Sequence, residues 1–278
     1  MTASQNRIIG EEKAMTSQSS TVTANDLTIY YEESGSGDPL ILLHGAMGSG
    51  AHWRPYASRF ASHNRVIIPD ARDHGRTIFT ETDLTRSNPD CRIADVVALM
   101  DALALDKAIL CGWSGGGDTA LKVARRYPKR VKALIVGGTT HHVSEEMRAT
   151  LMVMGLDGPG EINVARARQA IPDLIAEWQQ THAQFSDHWL RLLERQSHLM
   201  LNPPLMPSAD LAAIEAPTLI IWGDRDQFLP VEQAVEVYRA LPNAQLAIIP
   251  NADHFVTRTH QVQFGQLVTD FLLAIPMR

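Results

Sequence analysis

Short apolar runs alternate along most of the chain with longer segments in which apolar residues recur at helical spacing. Each short run predicts a buried strand, and each periodic segment predicts an amphipathic helix. The predicted strands are residues 21–23, 27–32, 40–43, 65–69, 108–111, 131–136, 218–222 and 245–249. The predicted helices are residues 53–61, a helix capped by Asp90 that contains residues 93–103, and residues 118–127, 231–241 and 261–273.

This alternation predicts an α/β fold in which a mostly parallel sheet carries helices on both faces. It stops over residues 143–207, where the pattern is mostly helical with a Gly/Pro-rich break at 155–160. We therefore expect a helical cap over 143–207, inserted into a core formed by residues 21–142 and 208–278. Residues 1–20 are polar, and we expect a disordered tail there.

Composition narrows the class of protein. The chain has 278 residues, of which 45% are hydrophobic and 20% charged, as in ordinary globular proteins. A net charge of −6 argues against a nucleic-acid or anionic-membrane partner. Only two cysteines occur, one of them in a predicted buried strand, which favours a reducing compartment. No apolar stretch reaches the length of a membrane span. We expect a cytoplasmic protein, a monomer or homodimer, whose partner is a small molecule.

One stretch carries the signature of a nucleophile. The predicted strand 108–111 runs into Gly112-Trp113-Ser114-Gly115-Gly116, and helical sequence follows from Asp118. A G-x-S-x-G sequence between a strand and a helix is the nucleophile-elbow pattern, in which a strained turn presents the serine above the sheet. Side chains at Gly112 and Gly116 would collide with neighbouring backbone as the chain reverses. The pattern predicts Ser114 as a nucleophile.

A serine hydroxyl needs a base to take its proton, and that base needs an orienting carboxylate. Functional loops in parallel sheets follow the carboxyl ends of strands. After strand 218–222 come Asp224 and Asp226, and after strand 245–249 comes His254. We predict His254 as the base and Asp226 as its carboxylate, because Asp226 lies further into the loop. Asp224 is the alternative, although its position suits a turn-forming residue.

Acyl transfer also needs two backbone N–H groups that stabilise the oxyanion. One is expected from Gly115, directly after the nucleophile. The other is expected from Ala46, in the small-residue loop that follows strand 40–43. His44 in that loop is interpreted as a brace that hydrogen-bonds the loop, not as a catalytic group.

These motifs resemble those of the α/β-hydrolase superfamily from about residue 27 to the C-terminus. The matching motifs are His44-Gly45-Ala46, Asp70-Ala71-Arg72-Asp73-His74-Gly75-Arg76-Thr77, Gly112-Trp113-Ser114-Gly115-Gly116, Gly223-Asp224-Arg225-Asp226 and Asp253-His254-Phe255. Asp73 and Asp253 depart from the pattern, since the family usually has glycine at both positions. The resemblance implies a triad of Ser114, Asp226 and His254, an acyl-enzyme, and no metal or organic cofactor.

The elbow is similar to that of valacyclovir-hydrolase-like proteins, but these carry an aspartate where this chain has Gly115. A cationic amino-ester substrate is therefore disfavoured, and we predict hydrolysis of an apolar carboxylic ester or lactone. The alternatives are C–C bond hydrolysis, a cofactor-free perhydrolase, or a ligand-binding receptor with slow or single turnover. Predicted substrate contacts are Met47, Trp113, His141 and Phe255. The neighbouring His141-His142 is interpreted as a hinge or pocket wall, because adjacent histidines do not converge on one metal ion.

Overall fold

The computed structural model describes residues 17–77, 89–139, 143–184, 187–203 and 206–275. Its strands are β1 (Gln18–Ala24), β2 (Leu27–Ser34), β3 (Asp38–Leu43), β4 (Asn64–Pro69), β5 (Ala108–Trp113), β6 (Val131–Gly137), β7 (Leu156–Gly158), β8 (Glu161–Ile162), β9 (Thr218–Gly223) and β10 (Ala244–Ile249). Its helices are α1 (Arg54–Ala61), α2 (Pro89–Ala102), α3 (Gly115–Arg126), α4 (Glu145–Val153), α5 (Val164–Ala170), α6 (Pro172–Thr181), α7 (His188–Leu201), α8 (Ser208–Ala212), α9 (Val231–Ala240), α10 (Val256–Thr259) and α11 (Gln261–Ala274). Within these ranges, no helix combines the length and apolar character that crossing a bilayer requires.

Eight of the strands form one sheet in the order β1-β2-β4-β3-β5-β6-β9-β10. Strand β2 runs antiparallel to β1 and β4, and every other neighbouring pair is parallel. The predicted α/β class with a mostly parallel sheet is therefore confirmed. Parallel neighbours bring the carboxyl ends of β3, β5, β6, β9 and β10 to one edge, where the predicted catalytic residues follow.

The central strands are buried on both faces. In β3, Leu40 and Leu42 belong to one apolar cluster, which also contains the buried side chains of α1 and α11. Ile41 and Leu43 belong to a second cluster, which contains those of α2, α3 and α9. Successive side chains of a strand point to opposite faces, so an unbroken apolar run requires cover on both sides. Helices on both faces of the sheet provide that cover.

The N-terminal boundary differs from the prediction. Strand β1 starts at Gln18 and pairs antiparallel with β2, with Gln18 opposite Glu33. The predicted tail 1–20 therefore overlaps the strand, and residues 1–16 lie outside the described ranges. The error has a physical cause: β1 is an edge strand, and its first residues form backbone hydrogen bonds while their side chains stay exposed, so no apolar pattern marks them.

Residues between β6 and β9 form α4 to α8 and a two-stranded hairpin, β7–β8. The prediction of mostly helical structure missed this hairpin, which occupies the Gly/Pro-rich break. Gly160 turns the hairpin at a φ of +81°, a conformation that favours glycine. Apolar side chains of this segment, among them Met147, Trp178 and Leu193, are buried in the same cluster as one face of the sheet. The segment thus packs directly on the core.

Candidate active site

Ser114 occupies a strained turn between β5 and α3. Its φ of +54° and ψ of −123° are unfavourable for a residue with a Cβ, and its N–H is fixed by a 2.8 Å hydrogen bond to the Gly137 carbonyl. Trp113 ends β5 and Gly115 begins α3, so the reversal takes place at the serine alone. The arrangement has the geometry expected of a nucleophile elbow.

Two glycines allow this reversal because backbone passes close to them. A Cβ at Gly112 would lie 2.3 Å from the carbonyl oxygen of Gly116, and a Cβ at Gly116 would lie 2.1 Å from that of Leu43. Neither carbonyl belongs to a flexible side chain, so neither contact can relax cheaply. At Gly115, by contrast, the nearest atom to a Cβ would be the Ala46 nitrogen at 3.5 Å, an ordinary contact.

Gly116→Ala is therefore expected to lower the free energy of unfolding by about 3 kcal/mol or more, since strand or helix must shift. Gly115→Ala is the matched control in the same turn and is expected to change stability by less than about 1 kcal/mol, because alanine suits a helix. Urea unfolding followed by circular dichroism measures both. Equal losses in the two variants would contradict the close approach at Gly116.

The loops after β9 and β10 bring Asp226 and His254 together. Asp226 Oδ2 lies 2.8 Å from His254 Nδ1, and its other oxygen, Oδ1, accepts the N–H groups of Phe228 and Leu229 at 2.9 Å each. The Asp226 side chain is only 1% exposed. A carboxylate held in this way fixes the Nδ1–H tautomer of the histidine and leaves Nε2 free to accept a proton.

The alternative carboxylate points elsewhere. Asp224 is an exposed residue, and its carboxylate forms a 3.8 Å ion pair with the solvent-exposed Arg225. Of the two aspartates weighed from the sequence, Asp226 is therefore the one in contact with His254.

Ser114 and His254 line the same cavity. Trp113, the residue before the serine, donates a 2.8 Å hydrogen bond from its indole to the His254 carbonyl. Among the hydrogen bonds of the described residues, none joins Ser114 Oγ to the His254 ring. Such bonds are commonly long in ligand-free hydrolases and shorten when substrate binds.

Two backbone N–H groups adjoin the serine. Those of Ala46 and Gly115 form no hydrogen bond with any described part of the chain. The Ala46 loop is held from below by His44, whose Nδ1 donates to the Gly45 carbonyl at 2.8 Å and whose Nε2 accepts from the Ala71 N–H at 2.9 Å. The proposed oxyanion hole therefore has two available donors, and His44 lies where a brace is expected.

The cavity encloses about 200 Å³ beneath the inserted segment. Met47, Trp113 and Phe255 line it, as expected for substrate contacts, whereas His141 lies outside the described residues. The insertion contributes an apolar wall that includes Met147 and Leu151.

Polar contacts hold one side of the insertion to the core at the same cavity. Glu177 of α6 accepts hydrogen bonds from His52 at 2.8 Å and from Arg258 Nη1 at 2.8 Å. These bonds, that of His52 foremost, lower the pKa of Glu177 to about 2. The carboxylate therefore stays charged and paired at neutral pH.

Several polar residues of the cavity were missed from the sequence, among them Arg92 of α2, Asp118 of α3 and Gln196 of α7. A signal for Arg92 was present, because it precedes Val96 by four residues and Leu99 by seven, which places it on the apolar face of its helix. Asp118 is paired with Lys122 at 2.8 Å. No comparable pattern marks Gln196.

The two departures from the glycine pattern have separate explanations. Asp73 has a φ of +68°, so this position requires a left-handed conformation, which glycine adopts freely and aspartate tolerates better than most residues. Asp253 instead accepts the Phe255 N–H at 2.9 Å and shapes the turn that carries His254. Both substitutions preserve the loops.

Four buried histidines extend behind the cavity, with ring centroids 5.1, 5.4 and 6.0 Å apart from His44 through His74 and His182 to His188. Burial lowers the pKa of His44 and of His182 to about 4, and that of His74 well below its ordinary value. His182 Nε2 donates to the Met47 carbonyl, and Nδ1 accepts the Gly75 N–H. The folded protein therefore holds these rings neutral.

Acid is expected to destabilise the fold. In the unfolded chain these histidines take up protons below about pH 6.5, whereas in the folded chain His44 and His182 stay neutral down to about pH 4. The free energy of unfolding therefore falls as the pH falls across this window. Between pH 7.5 and 5, His44 and His182 each account for a loss of about 2 kcal/mol in the free energy of unfolding.

Urea unfolding at both pH values measures the loss. His182→Gln should reduce the pH dependence and exposed His63→Gln should not; an equal pH dependence in both variants would contradict this account.

Among the described residues, no cluster of three or more His, Cys, Asp or Glu side chains is arranged to hold a metal ion. The pair His141-His142 lies outside those residues.

Comparison with known proteins places this geometry in context. A model described as the alpha/beta hydrolase family matches residues 40–265. A 2-hydroxy-6-oxo-6-phenylhexa-2,4-dienoate hydrolase of Burkholderia cepacia is 26% identical over 89% of this chain and 92% of its own. A 2-hydroxymuconate semialdehyde hydrolase of Pseudomonas sp. strain CF600 is 27% identical over 86% of this chain and 88% of its own. The crystal structure of a meta-cleavage product hydrolase superimposes with a TM-score of 0.73 at 25% identity, covering 91% of this chain and 97% of the other.

Proposed function

This chain belongs to the alpha/beta hydrolase family, and from that membership we propose that it is a serine hydrolase of 2-hydroxy-6-oxo-dienoates, cleaving a C–C bond. The observation that carries the assignment as a serine hydrolase is the contact of Asp226 with His254, which lines the same cavity as Ser114. The relative from Burkholderia cepacia is named as a hydrolase of such a dienoate, and that from Pseudomonas sp. strain CF600 as a hydrolase of 2-hydroxymuconate semialdehyde. They favour C–C cleavage over the ester or lactone cleavage that the sequence alone put first.

The chemistry follows from the substrate class. A 2-hydroxy-6-oxo-dienoate contains no ester, and its C6 ketone is the electrophile. Tautomerisation moves the O2 proton to C5 and leaves a C3–C4 double bond conjugated with the new C2 ketone. When the C5–C6 bond breaks, its electron pair is delocalised onto O2 as a dienolate. A carbon leaving group is thus stabilised by the substrate itself.

The residues of the site supply the remaining steps. His254 takes the proton of Ser114 as Oγ attacks C6, and the N–H groups of Ala46 and Gly115 stabilise the oxyanion. Collapse breaks C5–C6, and the proton held by His254 neutralises the dienolate at O2. His254 then deprotonates a water that attacks the acyl carbon, which releases a carboxylic acid and regenerates Ser114. Asp226 stabilises the imidazolium in both halves of the reaction.

Ester or lactone hydrolysis is the second candidate. The same acyl transfer to an alkoxide needs only protonation of the leaving oxygen by His254, and the apolar wall formed by Met147 and Leu151 suits an apolar acyl group. The triad serves either leaving group, so the two reactions must be distinguished by measuring turnover of a substrate of each kind.

A two-substrate comparison tests the proposal. Purified protein is given 2-hydroxy-6-oxo-6-phenylhexa-2,4-dienoate or p-nitrophenyl butyrate, and products are identified by liquid chromatography. We expect benzoate and 2-hydroxypenta-2,4-dienoate, with kcat/KM at least about tenfold above that for the ester. An intact dienoate beside sustained ester turnover would overturn C–C cleavage in favour of the second candidate. A single burst with both substrates would instead indicate a binding protein.

A further inference from the structure

Two arginines among the described residues line the catalytic cavity, and they differ in how they are neutralised. Arg258 is engaged by Glu177. Arg92 has no such partner: its Nε and Nη2 atoms are buried and form no hydrogen bond within the described part of the chain. A buried guanidinium without hydrogen-bond acceptors is costly, and most such groups in proteins are paired. The wall of the cavity therefore contains a cation with unused donors.

The nearby carboxylates are already engaged by other cations. Asp118 is paired with Lys122 at 2.8 Å. Asp95 receives two hydrogen bonds from Arg72, at 2.7 and 2.8 Å. Asp73 lies 3.7 Å from Arg195, too far for a hydrogen bond but close enough for an ion pair. These three acids act on Arg92 at longer range, while burial dominates and lowers its pKa. An arginine remains protonated even so, and the local charge stays positive.

The position of Arg92 relative to the nucleophile is well defined. Its Nη1 atom lies 3.8 Å from the place that a Cβ would take on Gly115, the residue directly after Ser114. Helix α3 begins at Gly115, so the positive end of its dipole faces the same region. A side chain at Gly115 would intrude between the guanidinium and the Ala46 loop. The absence of one leaves Arg92 access to a ligand that reaches Ser114.

We propose that Arg92 is a specificity-determining residue that binds the carboxylate of the substrate. Guanidinium and carboxylate form paired, charge-assisted hydrogen bonds, and a carboxylate on the Nη1–Nη2 edge would satisfy Nη2, one of the two donors that the protein leaves unused. The C1 carboxylate of a dienoate is attached to C2, at the end of the molecule opposite the reacting C6. Its capture by Arg92 would place C6 at Ser114. The choice of a dienoate rests on the proposed function, whereas the anion preference rests on Arg92 alone.

A binding experiment tests this role without turnover. In the Ser114→Ala protein, calorimetry compares sorbate, a simple dienoate, with sorbamide, its neutral amide. We expect sorbate to bind about tenfold or more tightly than sorbamide. Arg92→Met should bring the ratio of the two dissociation constants close to one, and Arg92→Lys should restore part of it. The double variant Arg258→Met/Glu177→Gln is the matched control, since it removes the other cavity arginine together with the carboxylate that pairs with it, and it should keep the preference for the anion.

Several results would overturn the assignment. One is a ratio near one while Arg92 is present, and another is an unchanged ratio in Arg92→Met. Loss of the preference in Arg258→Met/Glu177→Gln alone would transfer the role to Arg258. If Arg92→Met does not fold, Arg92→Gln supplies the neutral side chain and the same criteria apply. Because no bond is cleaved, failure here leaves C–C hydrolysis standing, and failure to cleave a dienoate leaves the anion site standing.

Discussion

Ser114→Ala is expected to lower kcat by about 10³-fold or more while the protein stays folded. The substitution removes only Oγ. Its Cβ remains in the place where the structure already accommodates it, and alanine meets the same positive φ as serine. The N–H groups of Ala46 and Gly115 also remain, so substrate binding should persist. What is lost is the atom that forms the acyl-enzyme.

Steady-state kinetics with the dienoate substrate measure this loss, and circular dichroism checks the fold. Ser34→Ala is the control, because it removes another buried hydroxyl, at the end of β2, that does not belong to the residues lining the cavity. Its kcat should stay near that of the wild type. Near-normal turnover in Ser114→Ala would show that Ser114 is not the nucleophile.

Asp226→Asn is expected to lower kcat by about 10³- to 10⁴-fold, and Asp224→Asn is expected to have little effect. Oδ1 of Asp226 accepts two backbone N–H groups, from Phe228 and Leu229. An asparagine there keeps both bonds only with its oxygen in the same place, which turns its NH₂ group toward His254 Nδ1. That donor forces the proton of the imidazole onto Nε2, the nitrogen that must accept the proton of Ser114.

The pair of variants is measured by kcat and by the free energy of unfolding under the same conditions. Asp224 is exposed and pairs with Arg225, so its amide serves as a matched control for the removal of one charge from this loop. A severe loss in Asp224→Asn with a mild one in Asp226→Asn would reverse the assignment.

The strands that were predicted best from the sequence are those that pack against helices on both faces of the sheet. Strand 40–43 carries Leu40 to Leu43 without a polar residue, because each side chain meets a helix layer. Edge strand β1 shows no such run, since its first residues hold their place by backbone pairing with β2. The hairpin β7–β8 was missed for a similar reason: its strands are short and glycines dominate its pattern.

Within the candidate site, the residues that are fixed by backbone geometry were the ones predicted. Glycine is required at Gly112 and Gly116, because a Cβ at either position would lie little more than 2 Å from a backbone carbonyl oxygen. A requirement of this kind is visible in the sequence as a glycine motif. Arg92 was missed because its role depends on which acids face it in three dimensions, and the pairing of Asp95 with Arg72 is visible only in the fold. The motifs also could not predict the leaving group, because cleavage of an ester and of a 6-ketone requires the same serine, histidine and oxyanion hole.

Intact-protein mass spectrometry after treatment with a fluorophosphonate tests the central claim, that Ser114 is a nucleophile activated by His254. The account predicts a single adduct per chain, located on Ser114 by peptide mapping, and labelling that is slowed by about 10³-fold or more in His254→Ala. An adduct on another residue, or labelling of Ser114 at the wild-type rate in His254→Ala, would contradict it.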